Sequence, residues 1–113
     1  MNKQIFYDLK QKKYNAVMTP GSLYEKIYKK IGSDLKILDI GTANGNFAKE
    51  LKEKNNTLFG IEISKIMAKQ ASGIYEKIIV GDVETISFPW KRNSFDSILV
   101  MDILEHLFLC HLR

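Results

Sequence analysis

The spacing of apolar residues changes near residue 35. Before that point, Leu23, Ile27 and Ile31 recur every four residues, the stripe of an amphipathic helix. Thr19-Pro20-Gly21-Ser22 precedes it. Proline and glycine together mark a turn there, and Ser22 is suited to cap the helix, which the pattern ends near Gly32. Further upstream, Ile5, Phe6 and Leu9 stand at helical spacing within polar, lysine-rich residues 1–18 and predict a short amphipathic helix. After residue 35 short apolar runs take over. Lys36 to Ile40 reads as a buried strand ended by glycine. Residues 44–54 place Phe47 and Leu51 on one face, a surface helix closed by Asn55-Asn56. Thr57 to Ile61 is a second strand, Ser64 caps a helix running to Ala71, and Lys77 to Val80 is a third strand. Phe95 to Met101 is a fourth, and Asp102 to Leu109 is again helical in pattern.

Strands alternating with helices imply right-handed crossovers and a parallel sheet. Near-continuous apolar strands fit burial on both faces. The expected architecture is therefore α/β and Rossmann-like, with helices on both faces of the sheet. Residues 1–34 form an N-terminal helical segment, a candidate lid, and residues 35–113 form the α/β domain. Neither an internal repeat nor a low-complexity tract interrupts this order.

Composition narrows the setting. The chain has 113 residues, 45% hydrophobic and 27% charged, a globular balance suited to one small domain. No apolar run reaches the roughly 18 residues that span a bilayer, and no apolar segment follows Met1-Asn2-Lys3-Gln4 as in a secretory signal. The lone Cys110 has no partner within the chain for a disulfide, so a reducing cytoplasm is the simplest expectation. Lys and Arg outnumber Asp and Glu by 17 to 13, a net charge of +4. The excess lies at Lys10-Lys12-Lys13, Lys26-Lys29-Lys30 and Lys91-Arg92. Solvated lysines are the plain reading of it and a weak surface for an anionic partner the sharper one; a nucleic-acid surface calls for denser basic clusters interleaved with aromatics. Tyr24 and Tyr28 do lie among lysines, but their spacing is that of one helix face.

In open α/β sheets ligands bind beyond the carboxyl ends of the strands, so what each strand ends in carries the chemistry. The first ends in Asp39-Ile40-Gly41-Thr42-Ala43-Asn44-Gly45, the second in Glu62, the third in Gly81-Asp82 and the fourth in Met101-Asp102. Four successive strands thus bring a carboxylate to one edge, which packing alone does not require. Gly41 and Gly45 allow a tight turn and a close approach of backbone to ligand; a plain strand-to-helix turn is the rival reading. A dinucleotide fingerprint G-x-G-x-x-G placed on Gly41 would need glycine at 43 and 46, where Ala43 and Asn46 stand. Asp39 would also repel a pyrophosphate, whereas it suits a ligand with a positive amino group. Glu62, about 20 residues past the first glycine, is placed to accept from ribose hydroxyls. Asp82 can accept from an exocyclic amine, with Ile63 and Val83 as an apolar wall or simply as core.

These residues resemble a known family. Ile37-Leu38-Asp39-Ile40-Gly41-Thr42-Ala43-Asn44-Gly45 is similar to motif I of the class I S-adenosylmethionine (SAM) dependent methyltransferases. Gly60-Ile61-Glu62-Ile63-Ser64 and Val80-Gly81-Asp82-Val83-Glu84 look like their second and third acidic strand ends. Ser94 to Ile98 and Met101 to Leu107 resemble the FDxI and LEHL segments of the small-molecule enzymes of the ubiquinone and methionine-pathway group. Together these motifs cover residues 35–107. The resemblance implies SAM as cofactor and a small-molecule methyl acceptor. Gly41, Ala43 and Gly45 would cradle the methionine portion with Asp39 near its amino group. Glu62 would hold the ribose, Asp82 and Val83 would meet adenine beside Ile63, and Met101 would approach the cofactor at the mouth of the site. His106 is the base candidate, its rival reading being an ordinary helix residue. No metal site is expected, since adjacent Glu105 and His106 point to different faces of a helix. Ala43 replaces the usual middle glycine, an added methyl expected to be tolerated. The family domain ordinarily continues through further strands, so truncation after Arg113 is expected, leaving the fourth strand an open edge for a second copy or a partner chain to cover. An incomplete SAM-binding or protein-interaction module without catalysis is the alternative reading, and a nucleotide-dependent oxidoreductase is disfavoured by the glycine spacing and Asp39.

Overall fold

The computed structural model describes residues 20–100. Their elements are α1 (Leu23–Lys30), β1 (Lys36–Ile40), α2 (Asn46–Lys52), β2 (Thr57–Glu62), α3 (Lys65–Ala71), β3 (Lys77–Val80) and β4 (Ser97–Val100). The expected helices over 1–18 and 102–109 lie outside the described residues. Ser22 caps α1 by accepting from the Glu25 N–H at 3.1 Å, and Ser64 caps α3 by accepting from the Met67 N–H at 3.2 Å, each satisfying a donor that the first turn leaves without a helical partner. The second helix starts two residues later than the pattern placed it, because Gly45 is itself the N-cap in a left-handed conformation.

The four strands form one parallel sheet in the order β3-β2-β1-β4. Alternation along the strands divides it into two faces. Ile37, Leu58 and Leu99 turn to one face and join Phe47, Ala48 and Leu51 of α2 and Ala71 of α3 in a single core cluster. Tyr24, Ile27 and Tyr28 of α1 pack on the same cluster, with Tyr24 edge-on to Phe47 at 5.1 Å between ring centres. The two tyrosines set among lysines therefore belong to a packing face. Ile37, Leu38, Leu51, Leu58, Ile61 and Met67 are essentially inaccessible, and each such side chain contributes about 1.5–3 kcal/mol by leaving water.

The crossovers β1-α2-β2 and β2-α3-β3 step in one direction, which puts their helices on one face. The link from β3 back to β4 crosses β2 and β1 in the other direction, so a right-handed connection must run over the opposite face. Residues 81–96 do this without forming a helix. They lay Trp90 and Phe95 edge-on against Phe59, at 6.2 and 5.7 Å, and the Lys36 ammonium sits 5.0 Å from the centre of the Phe59 ring. No described helix is long and apolar enough to cross a membrane.

Candidate functional site

The sheet order puts the carboxyl ends of β3, β2 and β1 side by side, so Asp82, Glu62 and Asp39 stand at three adjacent strand ends. Strand order reverses between β1 and β4, the kind of switch point at which open α/β sheets form a ligand crevice. The loop after β1 turns through three left-handed residues, Gly41 at φ 86°, Ala43 at φ 49° and Gly45 at φ 84°. The Gly41 N–H donates to the Ile61 carbonyl at 2.7 Å, which ties the loop to the neighbouring strand.

Gly45 is required for packing as well as for its backbone angle. A Cβ there would lie 2.9 Å from both the Ala71 Cβ and the Ile74 Cδ1. Its absence lets α2 start directly against α3. Ala43 has no such freedom: its left-handed backbone costs roughly 1–2 kcal/mol for a residue bearing a Cβ. Glu62 offsets part of that cost, because its Oε1 accepts from the Ala43 N–H at 2.7 Å while its Oε2 accepts from the Ser64 N–H at 2.8 Å. One buried carboxylate thereby ties the glycine loop to the start of α3. Hydrogen bonds from backbone N–H groups to an ionised acceptor are among the stronger ones in proteins.

Asp39 is buried as well, 6% exposed. Its Oδ2 accepts from the Tyr75 hydroxyl at 2.5 Å. Burial pushes the Asp39 carboxyl up to about 7, against the Tyr75 hydrogen bond, which favours the ionised form; the nearby Glu62 charge adds a smaller push upward. The Tyr75 phenol is driven well above its ordinary value by burial and by the Asp39 charge. Asp82 is half-buried, and its Oδ1 accepts from the Glu84 N–H at 3.0 Å, opening the turn that leaves β3. Ile63 and Val83, the proposed wall, are both half-buried. Met101, Asp102 and His106 lie outside the described residues. Among the described residues no cluster of His, Cys, Asp and Glu is arranged to hold a metal.

Sequence reasoning missed Tyr75. It sits in the α3–β3 connection, 36 residues from the acid it binds, and carries no motif. The signal available was Gly60, a glycine in the middle of an otherwise apolar strand, which marks close approach by another group.

The sequence matches the family described as methyltransferase domain over residues 38–111, and the chain belongs to that family, the class I SAM-dependent group. It is 31% identical over 87 residues to an uncharacterised methyltransferase of Geobacillus sp. (strain WCH70), covering 74% of this chain and 41% of the relative. A solved protein of Pyrococcus horikoshii OT3 superposes with a TM-score of 0.63 at 27% identity, over 80% of this chain and 44% of that one. A TehB-like SAM-dependent methyltransferase from Corynebacterium glutamicum shares the fold with a TM-score of 0.60 at 20% identity, over 86% of this chain and 54% of its own. The chain spans less than half the length of the curated relatives it matches. The parallel sheet and its methyltransferase kinship are those expected from the motifs.

Proposed function

We propose that this chain supplies the SAM-binding half of an enzyme that transfers a methyl group from SAM to a small-molecule acceptor. The observation that carries the reading is the placement of Asp39, Glu62 and Asp82 on three adjacent strand ends around a left-handed glycine loop. The residues fit such a ligand chemically. Among the described residues the groups acting on the buried Asp39 are Tyr75 and Glu62, neither of them a cation, so the acid is suited to take its counter-charge from an ammonium. Glu62 and Asp82 are acceptors, matched to the hydroxyls of ribose and the amine of adenine.

In this assignment Gly41, Ala43 and Gly45 cradle the methionine portion, Asp39 meets its amino group, and Glu62 faces the ribose. Asp82 and Val83 border adenine, with Ile63 as apolar wall. The sulfonium supplies an already activated methyl group. The protein's work is then to hold acceptor, methyl and sulfur in line and to exclude water. Met101 is assigned to the mouth of the site, and His106 is the candidate base for an acceptor that must lose a proton. Residues 35–113 make up the donor half, residues 1–34 precede it as a helical segment, and the cytoplasm is the proposed compartment.

Calorimetric titration with SAM, S-adenosylhomocysteine and NAD tests the reading. The first two should bind and NAD should not. Binding of NAD without SAM would overturn it.

A further inference from the structure

Gly60 is the residue directly opposite Asp39 in the β1–β2 ladder. A Cβ on it would fall 2.3 Å from the Thr42 methyl and 3.1 Å from the Tyr75 ring. The missing side chain thus opens a slot in the helix-covered face of the sheet. Thr42 of the glycine loop enters the slot from one side and the Tyr75 ring from the other. Tyr75 is held there by its neighbours: the Ile74 N–H donates to the Ala71 carbonyl and the Glu76 N–H to the Leu58 carbonyl, at 2.9 and 2.8 Å. Both flanking peptides are pinned, so the hydroxyl is delivered to Asp39 by rigid backbone.

From this geometry we infer that Tyr75 is a positioning residue of the donor site: through the slot at Gly60 it holds Asp39 ready to ionise when a ligand bearing an ammonium group arrives. The inference rests on the proposed donor site. Among the described residues, the ionisable groups facing Asp39 are Tyr75 from the α3–β3 connection and Glu62 at the end of β2. Its ladder neighbours Gly60 and Leu99 carry no charge, and the loop Gly41 to Gly45 contains no ionisable side chain. Burial holds the carboxyl near 7. An incoming ammonium favours the ionised acid, so binding below that pH expels the proton from Asp39 to solvent. The Tyr75 hydroxyl donates to the same carboxylate and keeps this exchange within the neutral range. Without it, burial and Glu62 would hold the proton on to higher pH.

The test compares the wild-type chain with Tyr75→Phe by calorimetry in two buffers of different ionisation enthalpy, which counts the protons released. SAM is one probe. The other is 5′-methylthioadenosine, which keeps the adenosine and lacks the amino group. Wild-type protein should release close to one proton per SAM at pH 6 and about half at pH 7, and none per methylthioadenosine at either. In Tyr75→Phe the release at pH 7 should approach one, with the affinity profile for SAM moved upward by about one pH unit and that for methylthioadenosine unchanged. A folded Tyr75→Phe with the wild-type SAM profile would overturn the role of Tyr75 while leaving the donor site standing. So would a wild-type protein that binds SAM at pH 6 without releasing a proton, which needs no variant. If neither compound binds, the donor-site reading itself fails.

Discussion

Asn56, just before β2, and Asp39, near the end of β1, are both buried polar residues, 4% and 6% exposed, at opposite edges of one sheet. Their environments differ in kind. Asn56 accepts from the Leu35 N–H at 2.9 Å and donates to the Gly32 and Leu51 carbonyls at 3.1 and 3.0 Å. A neutral amide there joins the ends of α1 and α2 to the entrance of β1, with no charge to desolvate. Asp39 makes its bond to Tyr75 while carrying an ionisable group that burial has pushed up to about 7. A buried charge without a cation lowers stability. The amino edge uses polar groups to hold the fold together. The carboxyl edge holds a carboxylate at some cost to the fold, which accords with a role in binding.

The sharpest way to break the contrast is Gly60→Ala. The new methyl would collide with Thr42 and Tyr75, lowering stability by about 2–3 kcal/mol and displacing Tyr75 from Asp39; urea denaturation together with SAM titration would show both losses at once. At the other edge, Asn56→Ala leaves the Leu35 N–H and the Gly32 carbonyl without the partner they have in the wild type, while the Leu51 carbonyl keeps the Lys54 N–H at 3.1 Å. It should lower stability by about 2–3 kcal/mol and leave the pH dependence of ligand binding as it was.

Asp39→Asn sharpens the comparison, because its sign is opposite. The folded-state pKa of Asp39, about 7, lies above the ordinary value of 3.8. The folded protein therefore holds this proton more tightly than the unfolded chain. The stability it contributes is fully present below about 4 and is lost as pH rises through about 7. At pH 8 Asp39→Asn should be more stable than wild type by about 1–3 kcal/mol, the gap closing as pH falls toward 4. Its affinity for SAM should drop at the same time. Denaturation curves at pH 8 and pH 5 check the sign. The smallest effect belongs to Ala43→Gly, which relieves the left-handed backbone at φ 49° and should raise the thermal midpoint by the equivalent of about 1 kcal/mol.

Much of the framework was legible because it rests on local physics. Ser22 and Ser64 cap helices by bonds within three residues of themselves, and the bounds of β1 and β3 are those of the apolar runs. The second strand runs one residue past the expected Ile61, through Glu62, since pairing of Glu62 with Val80 extends the ladder where hydropathy stops. The described part of the fourth strand is shorter than the run from Phe95, because the Lys36 N–H donates to the Asp96 Oδ2 at 2.9 Å rather than to a backbone carbonyl, and the ladder pairs only from Ser97 onward.

By itself, the sequence determined the alternation of strands and helices, the capping serines and the acids that end the strands, because periodicity, capping and glycine punctuation act over a few residues. The tertiary structure alone decided that the Tyr75 hydroxyl reaches Asp39, that Glu62 spans from Ala43 to Ser64, and that residues 81–96 clothe the second face with Trp90 and Phe95. Those contacts depend on strand order, register and crossover handedness, which bring together residues far apart in the chain and leave no periodic trace along it.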